Sequence, residues 1–109
     1  MIAELVAAAY LLFKGYRLIG WRKKTPVGEI DLIVRKADTI VFVEVKSRQD
    51  NDGAVYAVHK RNQYRVTRAA QYMTARKPDW LEKNKRFDVV AISWPFFIRH
   101  IDNAWLGGA

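Results

Sequence analysis

Gly28-Glu29-Ile30-Asp31-Leu32-Ile33-Val34 and Ile40-Val41-Phe42-Val43-Glu44-Val45-Lys46 are two apolar, β-branched runs with charges inserted at alternating positions. Such runs read as strands. The polar tip between them, Lys36-Ala37-Asp38-Thr39, reads as a hairpin turn. Successive strand residues face opposite ways, so Glu29 shares a face with Asp31, and Glu44 shares one with Lys46. A two-residue loop at Ala37-Asp38 pairs Lys36 with Thr39. Counting back sets Asp31 opposite Glu44 and Glu29 opposite Lys46, and a four-residue loop gives the same register. Like charges directly opposite repel, and apolar flanks raise the cost of burying them. A divalent metal resolves the conflict, because hard cations such as Mg²⁺ take carboxylate oxygens. An ordinary solvated sheet face also alternates charge. That reading explains less well two acids paired across the strands with a lysine two residues on.

Outward from the hairpin, residues 2–14 read as a helix with the apolar stripe Ile2, Leu5, Val6, Ala9, Leu12 and Phe13, stopped by Gly15. Tyr16 to Trp21 reads as a strand, followed by a basic turn, Arg22-Lys23-Lys24, before Pro26. Gln49 to Gly53 is a polar loop. Tyr56 to Arg76 reads as a second helix whose inward stripe is Val66, Ala69, Ala70 and Met73, closed by Pro78. Arg86 to Trp94 and Phe96 to Ile101 read as strands with Pro95 near the corner. The order is αβββαββ, an α/β chain with a mixed sheet packed between helices. Residues 1–109 are expected to form one domain with a modest core.

The chain has no cysteine, which excludes disulfides and thiolate metal sites. The longest apolar run, Leu5 to Phe13, is about half a bilayer span. The first residues lack a basic stretch and contain Glu4, so a cytoplasmic location with no membrane association is expected. Formal charge is +8 with pI about 10. Residues 1–55 carry a net +2 and residues 56–109 a net +6. A basic half beside an acid cluster suits a polyanion held near a metal, although solubility charge and acidic membranes also attract such a balance.

Asp31 followed by Glu44-Val45-Lys46 is similar to the divided acid–Glu-X-Lys signature of restriction-endonuclease-like nucleases. More narrowly, Gly28-Glu29-Ile30-Asp31-Leu32-Ile33 with Val41-Phe42-Val43-Glu44-Val45-Lys46-Ser47-Arg48 resembles the YraN-like family, small bacterial proteins related to archaeal Holliday-junction resolvases. Tyr10-Leu11 with Lys14-Gly15-Tyr16, Arg86-Phe87-Asp88-Val89-Val90, and His100-Ile101 with Asn103-Ala104 extend the resemblance over nearly the whole chain. It implies the restriction-endonuclease-like fold and an endonuclease acting on DNA, branched or recombination intermediates included, with Mg²⁺ or Mn²⁺ as cofactor. Asp31, Glu44 and Glu4 are then the metal and catalytic acids, and Lys46 positions the attacking water. Two departures stand out. Ala3 occupies the place of the family's usual glycine before the first-helix acid, and Asn62 stands where the second helix often supplies a lysine.

Each candidate has a plainer reading. Glu4 also suits the first turn of a helix through the macrodipole. Lys46 also fits a salt bridge to Glu29 across the hairpin, and Glu29 then holds Lys46 in place. Arg61, Arg65 and Arg68, with Lys60 beside them, form one basic helical stripe that suits phosphates or simply water. Gln63 is a further polar candidate for supporting the site from that helix. Tyr56, Tyr64 and Tyr72 recur every eight residues, as core edge or as base-stacking rungs. His59 and His100 have no metal-ligand spacing, and the tryptophans read as core. The rival function is a non-catalytic nucleic-acid-binding module of the same fold. A homodimer is the assembly that a two-stranded cut asks for.

Overall fold

A computed structural model of the chain describes residues 2–47, 53–93 and 97–105, and for residues 53–61 the backbone alone. Helix α1 (Ile2–Phe13) is followed by strands β1 (Arg17–Thr25), β2 (Gly28–Lys36) and β3 (Thr39–Ser47). Helix α2 (Gly53–Ala75), a 3₁₀ turn at Pro78–Trp80, β4 (Asn84–Ser93) and β5 (Phe97–Ile101) complete the expected order. The sheet runs β1-β2-β3-β4-β5, parallel between β3 and β4 and antiparallel elsewhere. A parallel neighbour needs a crossover, and α2 supplies it. This mixed α/β arrangement is consistent with a nuclease-like fold.

The helices cover opposite faces. Ala7, Ala8 and Leu11 of α1 pack on Leu32, Val34, Val41, Val43, Val90 and Ile92. Val66, Ala69 and Ala70 of α2 pack on Ile30, Ile33, Ile40, Phe42 and Phe87. Ile40 to Glu44 of β3 are buried in succession, as befits a strand covered on both faces. No helix among the described residues is long and apolar enough to cross a membrane.

Two sequence readings are corrected. The inward face of α1 is Ala7, Ala8 and Leu11, whereas Ile2, Leu5, Leu12 and Phe13 are exposed, Phe13 to 94%. The small alanines let the helix backbone approach the sheet, which a bulky stripe would prevent. Glu4 lies one turn before Ala7 and Ala8, on that inward side. The basic segment Arg22-Lys23-Lys24 is strand rather than turn: Lys23 pairs with Ile30 and Lys24 with Glu29. The reversal falls at Pro26-Val27, where the Thr25 hydroxyl donates to the Gly28 carbonyl at 2.7 Å and accepts from the Val27 N–H at 3.2 Å.

Candidate active site

The β2–β3 ladder begins at Lys36 with Thr39, the expected register, and runs to Leu32 with Val43. The next pair in that register is Asp31 with Glu44, and there the ladder ends. The Val45 N–H, past the end of the β2 ladder, donates to Asp31 Oδ2 at 2.9 Å. On the other side of β2, Arg22 has φ +49° between the pairs Trp21–Leu32 and Lys23–Ile30. The alternation of β2 breaks at the same point: Leu32 packs on the α1 side and Ile30 on the α2 side. In a regular strand those two residues would share a face. The break brings the Asp31 carboxylate against the β3 backbone at the place where the strands part.

Glu44 follows on β3 with only 4% of its surface exposed. Its Oε2 accepts from Lys46 Nζ at 2.9 Å, and its Oε1 is buried with no hydrogen-bond partner. Glu4 of α1 has the same defect at Oε1, with Arg22 Nε at 3.6 Å, too far for a hydrogen bond. Burial raises the Asp31 carboxyl above its ordinary range, and the Val45 N–H opposes that shift. The charges of Glu4 and Glu44 push Asp31 further up, while Lys46 pulls it down. The three acids and the lysine are thus one electrostatic unit.

Glu29, Asp31, Glu44 and Lys46 wall a recess of about 230 Å³ whose other side is Asn62 and Arg65 of α2. Gly28 permits this closeness, because a Cβ there would collide with the Arg65 carbonyl oxygen. The expected Glu29–Lys46 pair does not form, since the strands have already parted. Lys46 pairs with Glu44, and Glu29 faces Arg65 at 3.9 Å, both largely in solvent. Gln63 is not among the recess walls, and its carbonyl accepts the Thr67 hydroxyl at 2.8 Å. Arg68 is exposed on α2 and bonded to Tyr64. The side chains of Tyr56, His59, Lys60 and Arg61 lie outside what the structure describes, as do residues Trp94 and Pro95. A larger cavity of about 460 Å³ opens beside Phe42, Phe87 and Trp105. None of the three acids lines it.

A second buried charge was not legible beforehand. Asp88 is fully buried and accepts from Arg86 Nε at 2.9 Å and Nη2 at 2.8 Å, from His100 Nε2 at 2.7 Å and from the Asn103 N–H at 2.9 Å. Lys14 Nζ donates to His100 Nδ1 at 2.7 Å, which leaves the ring hydrogen on Nε2. Arg86 also donates to the Tyr16 hydroxyl at 2.6 Å. Burial alone would raise Asp88, but its hydrogen bonds from Arg86, His100 and Asn103 outweigh it and hold the carboxyl below the ordinary range. Asp88 is paired in register with Val43, the neighbour of Glu44. The network braces the strand that carries the acids. The signal available in advance was Arg86 and Asp88 at same-face spacing on a strand.

The model of the uncharacterised protein family UPF0102 matches residues 3–92. The chain belongs to the UPF0102 family. This is the YraN-like group that the sequence resembles. UPF0102 relatives are similar at length. One from Parvibaculum lavamentivorans is 44% identical over 106 residues, covering 94% of this chain and 77% of its own. One from Bradyrhizobium diazoefficiens is 46% identical over 99 residues, covering 91% and 74%. One from Rhizobium etli is 40% identical over 105 residues, covering 96% and 86%. The UPF0102 match takes in Glu4, Asp31, Glu44, Lys46 and all of α2.

The acid set suits a hard divalent cation. Its candidate ligands are all carboxylate oxygens, and two of these, Glu4 Oε1 and Glu44 Oε1, are buried without hydrogen-bond partners. As it stands, no group of three or more His, Asp or Glu side chains among the described residues is gathered to hold an ion. Lys46 occupies the other oxygen of Glu44. Glu44 Oε1 is the oxygen left open to a cation while Lys46 stays on Oε2.

Proposed function

We propose that this chain is a metal-dependent endonuclease that hydrolyses phosphodiester bonds in DNA. Resemblance to resolvases suggests branched or recombination intermediates. The observation that carries the reading is the meeting of Asp31, Glu44, Glu4 and Lys46 at the parting of β2 and β3, with two buried carboxylate oxygens left without hydrogen-bond partners. Asp31, Glu44 and Glu4 would hold Mg²⁺ or Mn²⁺, which supplies positive charge to the scissile phosphate. Lys46, held beside the acids by Glu44 Oε2, would orient the attacking water and stabilise the charge that develops on the phosphate. Arg65 stands at the rim of the same recess and would take a flanking phosphate. Glu29 restrains Arg65 until DNA displaces it.

A second reading, a non-catalytic nucleic-acid-binding module, is favoured by one observation: Lys46 already neutralises Glu44 without any ion. The two readings separate in one assay. Linear, nicked and four-way DNA are incubated with Mg²⁺, Mn²⁺ or chelator. The nuclease cleaves at least one form with metal and none with chelator, and loses that activity in Asp31→Asn and Glu44→Gln. Binding without cleavage under every condition selects the module.

A further inference from the structure

The sequence of α2, Gly53–Ala75, contains no aspartate or glutamate. Along its outer side and just past its end, an arginine is twice set against the tyrosine four residues before it. Arg68 Nη1 donates to the Tyr64 hydroxyl at 2.9 Å, and the guanidinium carbon lies 5.7 Å from the ring centroid. Eight residues on, Arg76 lies 3.6 Å over the Tyr72 ring and donates to the Tyr72 carbonyl at 3.1 Å. Tyr64 leaves 61% of its surface in solvent. Neither Arg68 nor Arg76 has a carboxylate partner among the described residues. Exposed cation–π pairs contribute little to folding. Stability therefore does not account for the same unit appearing twice on an acid-free helix.

We propose that this face of α2 is a track for a DNA strand whose bases are unpaired, leading away from the recess. Arginine held against tyrosine offers a fixed cation to the phosphates, and the exposed Tyr64 ring and the half-buried Tyr72 ring offer stacking surfaces to bases. A duplex would use the arginines and leave the rings idle, because its base faces are already stacked on one another. An unpaired strand uses both. The two units are about 12 Å apart at 1.5 Å per helical residue, which is room for about three stacked nucleotides at 3.4 Å each. Arg65 lies in sequence between Tyr64 and Arg68, is exposed like them, and lines the recess, so the track begins at the candidate site. The inference deepens the nuclease reading and rests on it for the choice of DNA. It adds that the preferred substrate carries a single-stranded segment next to the cut.

The test is binding in chelator, where no cleavage intervenes. Labelled oligothymidylate and a blunt duplex are titrated against the wild type, the Tyr64→Ala/Tyr72→Ala variant and the Tyr64→Phe/Tyr72→Phe variant. The alanine variant is expected to lose about tenfold or more in affinity for oligothymidylate, the scale of losing stacked bases. Its affinity for duplex stays within about twofold, and the phenylalanine variant recovers most of the loss. Equal losses on both DNAs, or no loss on the single strand, overturn the track. Wild-type protein photocrosslinked to 5-iodouracil oligonucleotide gives a readout independent of any variant's folding. Crosslinks at Tyr64 or Tyr72 support the track, and crosslinks only elsewhere overturn it. Failure of the nuclease reading looks different: the crosslinks and the single-strand preference remain while no DNA is cut with Mg²⁺ or Mn²⁺.

Discussion

At Asp31, burial and the charges of Glu4 and Glu44 raise the carboxyl in the metal-free protein. A carboxylate whose folded-state pKa is raised penalises folding once pH exceeds that pKa. Asp31→Asn should therefore raise the chelator-treated melting temperature by a few degrees at neutral pH. It should also remove the upward shift that Mn²⁺ gives the wild type. Thermal melts with and without Mn²⁺ check both. Asp88 has the opposite sign. Its folded-state pKa is held below the usual value of about 3.9. Its contribution is present at all higher pH and is lost as pH falls through the depressed value. Asp88→Asn should cost about 3–5 kcal/mol at neutral pH, because Arg86 is left without its buried partner. That deficit should narrow below about pH 4, as read by urea unfolding at successive pH values. Lys46→Ala tests chemistry apart from binding. On the proposed mechanism turnover should fall by about 10² or more with DNA affinity little changed, since the ammonium would act mainly in the transition state.

Among the elements, α1 makes a sharp contrast available. Leu11 is fully buried and Leu5 is 52% exposed. Leu11→Ala should cost about 2–5 kcal/mol and Leu5→Ala under about 1 kcal/mol, measured by denaturant titration. The sequence pointed to the opposite face. Every α1 residue except Glu4 is apolar or aromatic, so periodicity had almost no contrast to work with. Ala7 and Ala8 weigh little in a hydrophobic pattern, yet their smallness is what seats the helix. The hairpin was legible because strict period-two alternation fixes register, and Lys36 does pair with Thr39. The parting of the strands was not legible. It involves a positive φ at Arg22, a residue type that gives no local warning of it. The strand through Arg22-Lys23-Lys24 was missed because an edge strand carries charge freely. The Asp88 network was hidden because Lys14, Arg86, His100 and Asn103 meet only through the fold. Gly28 joins the two elements of the recess. Gly28→Ala should push α2 from the hairpin, weakening both stability and DNA binding, because the obstructing atom is backbone and cannot rotate aside.

Across the whole molecule, the proposed function and the charge of +8 together predict a DNA affinity that falls steeply with salt. Removing Arg65 and Arg68 together should flatten the slope of log affinity against log salt by about two units at most, near 0.9 for each lost phosphate contact. A fluorescence-anisotropy titration over a salt series measures it, and an unchanged slope moves the binding surface away from α2. The parallel pairing of β3 with β4 carries a separate consequence, for the order in which the molecule assembles. Glu4, Asp31, Glu44 and Lys46 all come from α1 and the antiparallel meander, whose contacts are close in sequence. β4 docks only after the long closure from Ser47 to Asn84, which carries α2 across the sheet. Loop closure over such a span is slow compared with hairpin formation. On this ordering the acids gather first with only Lys46 and Arg22 to offset them, and Arg65 closes the recess last, so the half that folds early carries the concentrated negative charge before α2 adds its own positive charge.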